Sequence, residues 1–213
     1  MAKDLVIFGS GGFGREVLWL VEEINDASAG GAPWRLTGFL DDDQNKWGTE
    51  IDGLPVLGGM DWLKNKRDLA LAIAVGKPSV RRQLYERAGA AVEFPALIHP
   101  GVLLSKRVRL GPGVLVCAGT ILTTNITVER FSILNLTCTV GHDAVLGEFC
   151  TLSPGVHISG CVTVGAEAFV GTGAEILEGR KVGARTIIGA GAVVNSDIPE
   201  GVTAVGVPAR VRS

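Results

Sequence analysis

An aliphatic side chain stands at every sixth position from Ile98 to Val194. The series runs Ile98, Leu104, Leu110, Val116 and onward to Ile188 and Val194, seventeen positions without a slip, each Leu, Ile or Val. A second column, four residues further along, is mostly small or β-branched, as at Val114, Thr120, Ser132, Cys138, Ala144, Cys150 and Ala168. Hexapeptide periodicity of this length predicts a parallel β-helix. Three hexads close one triangular coil, so residues 18 apart stack vertically, and each coil rises by about one strand spacing, ~4.8 Å. The aliphatic column points inward and fills the prism. From Ile198 the period breaks, through Pro199-Glu200-Gly201 and Val205–Arg210. That tail is expected to cap an end that would otherwise expose an unpaired edge.

Before the repeats the pattern alternates. Leu5–Phe8 predicts a strand, Gly9–Gly14 a glycine turn, and Arg15–Ile24 a helix with Val17, Leu18, Leu20, Val21 and Ile24 apolar. Leu36–Leu40 predicts a second strand ending in Asp41-Asp42-Asp43, and Leu54–Leu57 a short one. Asp61 is placed to cap a helix over Trp62–Lys66. Leu69–Val75 predicts a buried strand, Val80–Ala88 a helix, and Glu93–Ile98 a last strand leading into the repeats. Alternating elements imply a small parallel sheet flanked by helices. The expected division is residues 1–94, an α/β Rossmann-like unit of mononucleotide size, then 95–213, an all-β parallel β-helix with its cap.

Composition narrows the function. Twenty basic and 22 acidic residues give a net charge of −2, which argues against nucleic-acid binding. The longest apolar runs are too short to span a bilayer, and one Lys before a strand-like run is not a signal peptide. The four cysteines form no CxxC pair, and Cys138 and Cys150 fall in the inward column. Reduced, packed thiols in a cytoplasmic protein are expected.

With both halves in place, the chain resembles, almost end to end, bacterial sugar acetyltransferases that join a Rossmann-like domain to a left-handed parallel β-helix. That group includes sialic acid O-acetyltransferases and N-acetyltransferases of nucleotide-linked 4-amino sugars. The residues carrying the resemblance are Gly9–Gly14, Phe39-Leu40-Asp41-Asp42, Ala74-Val75-Gly76 with Arg81-Arg82, Gly141-His142-Asp143, Ser153–His157 and Val205–Arg210. The left hand comes from the resemblance alone, since parallel crossovers are otherwise nearly always right-handed.

His142-Asp143 is the sharpest local signal. His142 lies two residues after inward Val140, so it projects outward near a turn. Acyl transfer from a thioester needs a base active near neutral pH, and an imidazole beside a carboxylate supplies one. The resemblance makes His142 the general base and Asp143 its support. Gly160 stands one coil above His142. Two compatible readings apply: a turn glycine needing positive φ, and the bare position that admits a thioester carbonyl and offers its N–H to an oxyanion. Ser153, Gly171 and Gly189 form a small-residue column, as do Pro154, Thr172 and Ala190. A smooth groove there suits the pantetheine arm of acetyl-CoA, although turn geometry alone also explains these residues. The resemblance implies CoA contacts at Thr151, Thr172 and Ala190, between subunits of a homotrimer.

Gly9-x-Gly11-x-x-Gly14, between a strand and a helix, suits a phosphate. The unit is too small for NAD. The resemblance assigns Gly11, Gly12, Phe13, Asp41 and Asp42 to the nucleotide or sugar end of the substrate, with Gly76 and Lys77 at the mouth of the third strand. Lys77 and Arg81 either pair with a diphosphate or begin a solvated helix. Asn135 either orients substrate near the base or occupies a turn. His99, His142 and His157 lie 43 and 15 residues apart, which fits no three-histidine zinc site, so no metal is expected. The expected activity is acetyl-CoA-dependent N-acetylation of a nucleotide-linked amino sugar for surface glycan synthesis. Its rivals are O-acetylation of a sugar such as sialic acid and a non-catalytic nucleotide-sugar-binding scaffold.

Overall fold

The computed structural model describes residues 2–64, 66–89 and 92–212. β1 (Lys3–Phe8) is an interior strand of the N-terminal sheet, and Leu5, Val6 and Ile7 are fully buried. After the glycine turn, α1 (Gly12–Ala27) packs Val17, Leu18, Leu20 and Val21 inward. It starts three residues earlier than the apolar spacing predicts, because a glycine turn hides the first helical turn from a hydrophobic pattern. β2 (Trp34–Leu40), β3 (Glu50–Ile51), β4 (Leu54–Gly58) and β5 (Leu69–Ile73) complete a sheet of order β3-β4-β2-β1-β5. All its pairings are parallel except β3 with β4. α2 (Pro78–Ala88) follows, with Pro in its first turn. The helix expected over 62–66 is instead a 3₁₀ turn, Met60–Leu63, and residue 65 lies outside the described residues. The strand expected over Glu93–Ile98 reduces to a single bridge from Glu93 to Ala70 and the pair Leu97–Ile98.

The repeats form a three-faced prism of two-residue strands. Sheet I runs from Leu97–Ile98 through Ile133–Leu134 and Ile187–Ile188 to the tail; sheet II from Leu103–Leu104 to Val193–Val194; sheet III from Arg109–Leu110 to Lys181–Val182. Partners stand 18 residues apart, as in Ile133 with Leu115 on one side and Thr151 on the other. Both sequence columns line the interior: Leu134, Leu146, Leu152, Cys138, Ala144 and Cys150 are all fully buried. The tail covers the last coil. Thr203–Val205 pairs with Ile187–Ile188, then turns back antiparallel to Arg210–Val211.

The two halves share a core. Leu97, Leu115 and Ile133 of sheet I pack with Leu5, Val17 and Val21, while Phe131 and Phe149 pack with Leu71 and Leu84. Phe131 and Phe149 occupy left-handed corner positions, φ 55° and 56°. That conformation strains bulky residues. It stacks the two rings at 5.1 Å and 7°, with Tyr85 of α2 4.5 Å from the first. Among the described residues no helix is long and apolar enough to cross a membrane.

Candidate active site

The N-terminal sheet reverses strand order on either side of β1, and ligands of open α/β sheets bind outside the strand ends at such a point. A cleft of about 370 Å³ opens there. Gly11, Phe13, Asp41, Asp42 and Gly76 line it, as the sequence predicts, while Gly12 and Lys77 fall outside its lining. Gly14 is glycine because a Cβ would sit 1.9 Å from the Gly9 carbonyl oxygen. No acidic residue occupies the first turn of α1, so its positive end is free to meet an anion.

Asp41 is a bracing residue more than an open ligand. Its carboxylate accepts from the Ser10 hydroxyl, the Ser10 amide (3.1 Å), the Asp43 amide (2.9 Å) and Lys46 Nζ (2.9 Å). Burial alone would raise its pKa, but these donors hold it at about 2. Trp47 Nε1 donates to the Asp41 carbonyl at 2.7 Å. Asp42 is exposed and paired in a two-pronged contact with Arg87, 2.6 and 2.9 Å. Lys46, Trp47 and Arg87 carry no motif, and only the return of the chain after β2 and α2 brings them here.

The imidazole corner lies elsewhere, on the edge between sheets II and III. His142 and Asp143 form a turn, with Asp143 at φ 60°. His142 Nδ1 lies 2.9 Å from Asp143 Oδ2, and Asn125, one coil below, donates to Oδ1 at 3.2 Å. The contact with His142, then that with Asn125, holds the Asp143 carboxyl below the usual carboxylate range. Gly160 lies flush against the ring: a Cβ there would stand 2.5 Å from His142 Cε1 and Nε2. Gly160 is not among the positive-φ glycines, so its need is steric and the turn-geometry reading fails. The left-handed residue of that turn is the next one, Cys161, at φ 58°.

The small-residue column divides. Thr172 and Ala190 are exposed along the edge between sheets I and II. Gly171 is demanded by coil stacking, since its Cβ would meet the Ala190 amide nitrogen at 2.6 Å; at Gly189 the obstacle is the Val205 side chain at 2.7 Å. Neither glycine is evidence for a ligand. Thr151 is corrected outright. It is 4% exposed, and its hydroxyl donates to the Gly76 carbonyl at 2.8 Å while accepting from Arg81 at 2.9 Å.

Arg81 refutes both of its sequence readings. It is fully buried, and beyond Thr151 it donates to the carbonyls of Val75, Gly76, Phe131, Phe149 and Cys150 at 2.6–3.1 Å. Burial pulls its pKa down to about 10, which leaves it a cation at neutral pH. It joins the loop after β5 to sheet I. Asn135 lines a smaller crease with Phe13, Glu16 and Gly76, its Oδ1 accepting from the Leu136 amide at 2.7 Å. It stands on a different edge from His142. The other histidines lie apart from it: His99 packs on Trp19, with Nδ1 accepting from the Gly101 amide and Nε2 buried without a hydrogen-bond partner, and His157 bonds Thr139 on sheet II.

Residues 4–88 match the PglD N-terminal domain family. The UDP-N-acetylbacillosamine N-acetyltransferase of Bacillus subtilis is 35% identical over 112 residues, 51% of this chain and 49% of that protein, so the match spans about half the length of this curated relative. Among solved structures, the acetyltransferase domain of PglB from Neisseria gonorrhoeae, in complex with acetyl coenzyme A, superposes with a TM-score of 0.89 at 32% identity over all of both chains. PerB from Caulobacter crescentus, in complex with CoA and GDP-perosamine, superposes at 0.84 and 32% identity over 99% of this chain and 97% of that one. The fold they share is the left-handed parallel β-helix behind a Rossmann-like domain. On this full-length likeness, the chain belongs to the hexapeptide-repeat sugar acetyltransferases that carry a PglD-type N-terminal domain.

Proposed function

We propose that the protein transfers the acetyl group of acetyl-CoA to the amino group of a nucleotide-linked amino sugar. The observation that carries this reading is His142 held by Asp143 and lying against Gly160, in a fold shared with PerB bound to CoA and GDP-perosamine. His142 takes a proton from the amine as its nitrogen attacks the thioester carbonyl. The Gly160 N–H donates to the resulting oxyanion. The C–S bond then breaks, the amide forms, and CoA leaves as the thiol after the proton passes to sulfur. Asp143 orients the ring through its contact with Nδ1.

His142 stands on a different edge of the prism from the exposed Thr172 and Ala190, and none of the three lines the cleft of the N-terminal domain. A closed ring of copies brings one protomer's groove and cleft to another's imidazole, and a homotrimer with threefold-related sites is the assembly we assign. The pathway is cytoplasmic on this reading. The test is release of free CoA thiol from acetyl-CoA with UDP-, GDP-, dTDP- and CMP-linked amino sugars. Turnover on one amino sugar, lost in His142→Ala, is the expected result. Turnover on sialic acid or another hydroxyl acceptor instead would establish O-transfer. Nucleotide-sugar binding without thiol release would leave a scaffold.

A further inference from the structure

We propose that His142, Asp143 and Cys161 form a binding site for a thiophilic divalent cation of the zinc class, whose occupancy stops acetyl transfer. One ligand atom from each residue lies within 4.8 Å of the other two. Cys161 stands one coil above Asp143, and both hold the left-handed turn conformation, φ 58° and 60°, so their side chains leave the same edge side by side. The Cys161 amide donates to the His142 carbonyl at 2.8 Å, which ties the two turns together. Cys161 is the exposed thiol of the four; Cys117, Cys138 and Cys150 are buried.

The donor set is one nitrogen, one oxygen and one sulfur, which suits a borderline-soft ion. With metal–ligand distances of about 2.0–2.3 Å, a tetrahedral zinc separates its ligands by roughly 3.4–3.6 Å. His142 Nδ1 and Asp143 Oδ2, now 2.9 Å apart, need to open by about half an ångström, and the thiol, within 4.8 Å of both, to close by no more than roughly 1.4 Å. Exposed side chains make such movements by rotating about χ1, and here the backbone beneath them is braced coil to coil. Three protein ligands leave the fourth position to water. The inhibitory consequence rests on the proposed role of His142. A neutral imidazole has one free lone pair, so a ring bound to metal keeps its proton on the other nitrogen and accepts no second one.

The experiment titrates the metal-free full-length protein with Co²⁺, then displaces it with Zn²⁺. The expected spectrum shows a thiolate-to-cobalt band in the near ultraviolet and the visible bands of a tetrahedral ion, at one ion per protomer. Cys161→Ser removes the thiolate band and weakens Zn²⁺ binding by more than about tenfold, the scale on which even outer contacts to a metal act. His142→Asn weakens it likewise. Absence of the thiolate band, or a band that survives Cys161→Ser, overturns the site. In the activity arm, Zn²⁺ suppresses CoA release by the wild type, while Cys161→Ser turns over normally and resists it; equal sensitivity of both overturns the inhibition. If no acceptor supports thiol release while the cobalt spectrum is as described, acetyl transfer fails and the metal site stands.

Discussion

Gly160 shows how much a missing side chain can decide. Its backbone conformation tolerates alanine, but a Cβ would stand 2.5 Å from two atoms of the His142 ring. The exposed imidazole would swing away while the coil persisted. Gly160→Ala is therefore expected to unfold at the wild-type temperature and to lose about 10²–10³-fold in kcat, the scale of a misplaced base or a lost oxyanion contact. Paired thermal melts and thiol-release kinetics check it, and a stability loss matching the activity loss would refute it. Asp41 carries a pH signature. Its folded pKa of about 2 lies below the ordinary value of 3.8, so its contribution is complete above pH 4 and disappears as the pH falls toward 2. The side chain is 15% exposed, and the shift corresponds to about 2 kcal/mol. Asp41→Asn should lower denaturant stability by that amount at pH 7, with the two curves converging near pH 2.

At the scale of elements, α2 is attached to the prism by Arg81, whose donors satisfy five backbone carbonyls and the Thr151 hydroxyl. Removing the guanidinium strands those acceptors and empties the space it fills. We expect Arg81→Ala to cost about 3–5 kcal/mol, or roughly 10 °C in Tm. Arg81→Lys should recover little, because one ammonium cannot span carbonyls on two domains. Differential scanning calorimetry of both variants decides this. The stacked rings of Phe131 and Phe149 beneath α2 complete the joint. None of it was legible in advance: an arginine four residues into a helix reads as solvated or as a phosphate ligand, and only docking buries it. By contrast β1, β2, β5 and both helices were legible from apolar runs and spacing. Their ends were not, because Gly, Pro and single bridges carry no hydrophobic period.

For the whole molecule, the separation of His142 from the proposed CoA groove at Thr172 and Ala190 predicts complementation. His142→Ala supplies an intact groove, and Ala190→Trp, which blocks the groove, supplies an intact imidazole. Co-expressed in equal amounts, two inactive variants should regain about a quarter of wild-type activity if each site spans two protomers of a closed ring. Zero recovery would place the whole site within one protomer.

The hexad column placed Gly160 over His142 before any coordinates, because a solenoid of constant rise turns a sequence difference of 18 into a vertical contact. The same periodicity marked the buried columns, where every inward position obeys one local rule. It was silent on Arg81, on Thr151 beneath it and on the bracing of Asp41. Those depend on which surfaces of two separately patterned halves meet, and that is settled by packing between residues far apart in the chain.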